Sequence, residues 1–114
     1  MNIIYHNPNW SKSKKSVEIL ENSGINYKIV KYLVDIPSKN DIKKICSILG
    51  IKPKELVRKG EKDFKENNLI SIIDNDDLLI EKMNLYPKII ERPIIIIGNK
   101  AVIGRPPENI LDIL

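Results

Sequence analysis

Cysteine, histidine and aromatic residues are scarce in this sequence, and each scarcity excludes something. A single cysteine, Cys46, in 114 residues leaves no internal disulfide and no Cys-x-x-Cys metal site. One histidine, His6, and scattered carboxylates give no metal-ligand spacing, so no metal is expected. Aromatics make up 5% of the chain and are not interleaved with a basic stripe, so direct nucleic-acid binding is not expected. The longest unbroken apolar run is Ile94 to Ile97, far short of the ~20 residues of a membrane span, and nothing reads as a secretory leader. The expectation is a cytoplasmic chain with no membrane contact. No low-complexity run interrupts the sequence, so disorder is not expected either.

What is present is lysine and isoleucine. Sixteen lysines and three arginines face fifteen carboxylates, for a net charge of +4, and 23 isoleucines accompany them. Only Lys12, Lys14 and Lys15 cluster, so most lysines read as solvated heads. The length supports one domain, 1–114, which buries roughly 65% of its unfolded surface and needs no staples. A monomer is the expected state.

In a chain that chooses lysine so heavily, an arginine marks a place where lysine will not serve. A guanidinium offers five fixed donors and grips an oxyanion with two at once. The three are Arg58, Arg92 and Arg105, and the last two each precede a proline, which biases their backbones towards extended conformations. Two readings follow: an oxyanion pocket, or local pairing with Glu91 or Glu108.

Ile3 to Tyr5 reads as a short strand broken by the turn-forming run His6-Asn7-Pro8-Asn9. A helix is expected from about Ser11 to Ser23, with Val17 and Leu20 inward and Gly24 as its stop. Tyr27 to Tyr32 is a second strand. Ser38 caps the next helix, in which Ile42, Ile45, Cys46 and Leu49 fall at i, i+3, i+4 and i+7 before Gly50. That stripe makes Cys46 a core residue. Pro53 suits the first turn of a short helix carrying Leu56, Val57 and Arg58. Residues 60–73 have no clear pattern. Asp74 or Asn75 caps a further helix with Leu79, Ile80 and Met83 inward. Ile94 to Ile97, Gly98-Asn99 and Lys100 to Ile103 form a hairpin with a type II′ turn. Pro107 opens a last helix with Ile110, Leu111 and Leu114 at helical spacing.

This order is similar to the thioredoxin arrangement: an α/β fold with a mixed sheet, flanking helices and a helical insert, about 38–90, before the final hairpin. In such a fold the loop after the first strand meets the start of the first helix, whose N–H groups and dipole favour an anion or a thiolate. Pro93 would face that loop, with a cis peptide available to it.

The segments Tyr5-His6-Asn7-Pro8, Ser11-Lys12-Ser13, Leu56-Val57-Arg58-Lys59, Glu91-Arg92-Pro93-Ile94-Ile95, Gly104-Arg105-Pro106 and Ile110 to Leu114 resemble the glutaredoxin-coupled arsenate reductases. The resemblance implies that Arg58, Arg92 and Arg105 hold arsenate or a similar tetrahedral oxyanion, with His6 behind the attacking group. It implies glutathione as co-substrate, glutaredoxin as partner and no bound cofactor. Asn7, Ser11 and Ser13 belong to the loop and helix start. In that family a cysteine at the head of the first helix attacks arsenate. Here the position is Trp10, and an indole supplies no thiolate. The implied protein keeps the oxyanion-binding arginines and lacks the nucleophile. Two non-catalytic alternatives stay open: a module that binds an oxyanion or a partner, and a regulator similar to the Spx-type transcription regulators, which share this fold.

Overall fold

A computed structural model describes residues 2–7, 9 and 11–114 (of Lys12, the backbone). Its elements run β1 (Asn2–His6), α1 (Ser11–Ser23), β2 (Lys28–Lys31), α2 (Lys39–Leu49), α3 (Pro53–Leu56), α4 (Lys62–Glu66), α5 (Asp76–Leu85), β3 (Ile94–Ile97) and β4 (Lys100–Ile103). Short 3-10 turns occupy Leu69–Ile72, Pro87–Ile89 and Pro107–Asp112. The chain divides into two compact units, Met1–Asp35 with Arg92–Leu114, and Ile36–Glu91.

The first unit holds a four-stranded sheet in the order β2-β1-β3-β4. β1 pairs parallel with β2, and β3 pairs antiparallel with both β1 and β4. Ile4, Leu20, Ile95 and Ile110 form its closed core, with Val17, Ile19, Ile25 and Tyr27 packed against them. Each such fully buried aliphatic chain is worth roughly 1.5–3 kcal/mol of transfer free energy. The hairpin turns at Gly98, whose φ of +62° suits the first residue of a type II′ link.

The second unit is helical. Ser38 Oγ accepts from the Asp41 N–H while the Asp41 carboxylate accepts from the Ser38 N–H, which satisfies two donors at the head of α2. Gly50 ends that helix at φ +69°. Asn75, rather than Asp74, caps α5 by accepting from the Leu78 N–H. The buried faces carry Ile42, Ile45 and Cys46 on α2 and Leu79, Ile80 and Met83 on α5, and the two helices pack together.

Five features differ from the sequence expectations. β1 continues through His6, so His6 ends a strand rather than opening a turn; Pro8 lies outside the described residues. β2 is shorter than expected, ending at Lys31, with Tyr32 buried just beyond it. α3 stops at Leu56, because Val57 bridges Ile90 and its backbone is extended there, leaving Arg58 outside the helix. Residues 60–73 contain α4, anchored by buried Phe64. The terminal helix is of the 3-10 type, where i and i+3 share a line. Pro107, Ile110 and Ile113 therefore face the core, and Leu111 and Leu114 are exposed instead of sharing that face.

Candidate functional site

Register carries three parts of the first unit to one end of its sheet. Tyr5 pairs with Ile94, and Ile94 with Ile103. His6-Asn7, Arg92-Pro93 and Gly104-Arg105 are the residues next beyond those pairs, so all three segments leave the sheet at the same end. The Gly104 N–H donates to the Pro93 carbonyl at 2.8 Å, which ties two of them together. Both Arg92-Pro93 and Arg105-Pro106 are cis peptides.

α1 starts from this same end, since the chain passes from β1 to Ser11 in four residues. Ser13, fully buried in the first turn, accepts from the Asn7 N–H at 3.4 Å. Asn7 Oδ1 in turn accepts from the Asn9 N–H at 3.1 Å. Ser13 thus fastens the loop, while Ser11 is exposed at the helix head. Trp10 lies outside the described residues.

Arg92 is 4% exposed and Arg105 is half-buried. A guanidinium withdrawn this far from water is stable only where its donors are met. His6 is also buried, and among the described residues its Nδ1 makes no hydrogen bond. Burial first, and then the positive charges of Lys31 and Lys14, lower the His6 pKa below its ordinary 6.5. His6 is therefore a neutral imidazole at physiological pH.

The sign of the linkage is fixed by this shift. The unfolded chain takes up a proton near 6.5 and the native chain resists it, so the stability tied to neutral His6 is complete above that value and is lost as pH falls through it. The thermal midpoint should fall between about pH 7.5 and 5.5, and more steeply for the native protein than for His6→Gln. Parallel pH slopes for the two proteins would show that His6 is not held neutral.

Arg58 belongs to the helical unit, where two carboxylates meet it. Its Nη1 lies 3.3 Å from Glu61 and its Nε 3.8 Å from Glu91. The backbone sets this up: the Arg58 N–H donates to the Ile89 carbonyl at 2.6 Å, and the Glu91 N–H to the Leu56 carbonyl at 2.7 Å. Glu91, which sequence adjacency offered as a partner for Arg92, pairs with Arg58. The Arg58–Glu61 pair is spaced i, i+3 and was visible in the sequence; the Glu91 pair depends on a bridge between distant segments. Neither glutamate stood among the expected site residues.

Cys46 offers no alternative nucleophile. Burial, with the charges of Asp76 and Glu55, pushes its thiol up to about 11, so it stays protonated at neutral pH. Among the described residues, no three His, Cys, Asp or Glu side chains stand together as a metal cluster, and no helix is long and apolar enough to cross a membrane.

The sequence matches the model of the ArsC family over residues 5–113. It is 41% identical over 113 residues to an arsenate reductase of Haemophilus influenzae, a match covering 98% of this chain and 97% of that one. A second relative, named uncharacterized protein YfgD, from Escherichia coli, is 38% identical over 112 residues, covering 97% and 94%. Among solved structures, the arsenate reductase from Vibrio cholerae superimposes with a TM-score of 0.94 at 41% identity, covering 99% of this chain and 97% of that one.

Proposed function

This chain belongs to the ArsC family, and on that premise we propose that it binds arsenate or a similar tetrahedral oxyanion through Arg92 and Arg105, with Arg58 the third arginine that the family resemblance implies, without reducing it. The observation that carries the reading is the buried Arg92, leaving the sheet beside Arg105, His6 and the start of α1. A tetrahedral dianion there would gain bidentate guanidinium contacts and the partial positive charge of a 13-residue helix.

Reduction is another matter. The family's reaction delivers two electrons to arsenic from thiols, the first of them the protein's own, with glutathione and glutaredoxin completing the transfer. Trp10 provides no sulfur, and Cys46 is locked as a buried thiol. Glutathione and glutaredoxin are the co-substrate and partner of the lineage, used by this chain only if a thiol is supplied. The reading places the protein in the cytosol, as a monomer.

Anion binding is tested by thermal unfolding with sulfate, a tetrahedral dianion that cannot be reduced at this site. Sulfate at ten times its Kd should stabilise the protein by about 1.4 kcal/mol, a rise of roughly 5 °C. Arg92→Ala should abolish that rise. A melting temperature indifferent to sulfate and arsenate in the unaltered protein would end the anion reading.

A further inference from the structure

Arg58 has company that the anion reading does not account for. Two carboxylates, Glu61 and Glu91, hold it from different nitrogens, at 3.3 Å on Nη1 and 3.8 Å on Nε. The grip is built in by the backbone. The Glu61 N–H donates to the Arg58 carbonyl at 3.3 Å, turning Glu61 back over the arginine. Glu91 is fastened by its N–H to Leu56, beside the Val57–Ile90 bridge. The three side chains are about a fifth to a quarter exposed, so their attraction is screened less than that of the lysine pairs on the surface.

Within this trio one guanidinium faces two carboxylates. An oxyanion approaching Arg58 meets repulsion as well as attraction. We propose that Glu61 and Glu91 are built-in competitors for Arg58, so that an oxyanion gains this arginine only by displacing a carboxylate from it. This rests on the anion reading above. The pair then sets affinity and selectivity: a dianion outcompetes a carboxylate for the guanidinium, and a weakly charged monoanion does not. Glu61 and Glu91 act as tuning residues through Arg58, not as ligands.

The test is calorimetric titration with sulfate of the unaltered protein, Glu61→Gln, Glu91→Gln and the double variant. Glu61→Asp, which keeps a carboxylate, and Glu81→Gln, which removes a charge elsewhere on the same unit, serve as controls. Each single glutamine variant should bind sulfate roughly threefold more tightly and the double variant about tenfold, the scale of a partly exposed ion pair lost at each step. Glu61→Asp should stay near the unaltered affinity, and Glu81→Gln should not move it. Unchanged or weaker binding in the glutamine variants overturns the proposal, as does equal tightening by Glu81→Gln, which would reduce the effect to overall charge. If Glu91→Gln fails to fold, Glu61→Gln alone decides. Sulfate binding that is lost in Arg92→Ala but indifferent to both glutamates leaves the anion reading standing and removes this one. Silence in every protein overturns both.

Discussion

Replacing Trp10 with cysteine should switch on arsenate reduction, driven by glutathione and glutaredoxin, where the unaltered chain is expected to turn over none. Trp10 directly precedes Ser11, where α1 begins, and a thiol just before a helix start has its thiolate stabilised by exposed N–H groups and the helix dipole. His6 ends the strand four residues earlier as a neutral imidazole, so the helix start supplies the positive field for the thiolate. Losing a nucleophile commonly costs about 10⁴-fold or more, so restoring one should lift turnover from background by a comparable factor. A coupled assay of arsenate-dependent oxidation of the glutathione pool reads this directly. Equal rates in the unaltered and Trp10→Cys proteins would show that position 10 does not carry the chemistry. A silent variant that still binds sulfate would show that the arginines hold an anion out of reach of a thiol there.

Gly104→Ala should produce the largest loss of stability of any one-carbon change at a glycine of this protein that is not held at positive φ. A Cβ at Gly104 would stand 2.8 Å from Ser16 Oγ, 2.9 Å from Pro93 Cγ and 3.0 Å from Ile95 Cδ1. Ser16 and Ile95 are fully buried and the proline ring is stiff, so none yields easily. Overpacking of this kind costs about 1–3 kcal/mol. Gly60→Ala is the matching control: nothing lies within 4 Å of a Cβ there, and stability should hold or rise slightly. Chemical denaturation midpoints separate the two. The change also displaces the segment that ends in Arg105, so Gly104→Ala should weaken sulfate binding at temperatures where the protein is still folded. Equal midpoints for the two alanine variants would mean that the loop has room the structure denies it.

Much of the fold was legible because its signals are local. Ser38 and Asp41 spell a capping box, Gly50 a left-handed stop, and Gly98-Asn99 a hairpin link, each requiring only its own neighbours. The α4 segment was not legible, since one buried aromatic, Phe64, anchors five polar-rich residues and makes no periodic pattern. The last helix was misread for a related reason: isolated leucines at helical spacing cannot say whether the turn closes at three or four residues. His6, Arg92 and Arg105 could be placed at one sheet end from strand order alone. The partner of Glu91 could not, because adjacency in the chain favours Arg92 while antiparallel bridging carries Glu91 to Arg58.

The sheet's two outer strands carry a consequence for how this protein survives at high concentration. β2 and β4 are only four residues long, and among the described residues their outer main-chain edges face no neighbouring strand. β2 begins and ends in exposed lysines, Lys28 and Lys31, and β4 opens on another, Lys100. Any second molecule aligning against these rims must bring like charges together and bury ammonium groups. A sheet built so largely of isoleucine is thereby kept from templating fibrils, and the lysine-rich composition acquires a structural purpose at its two borders.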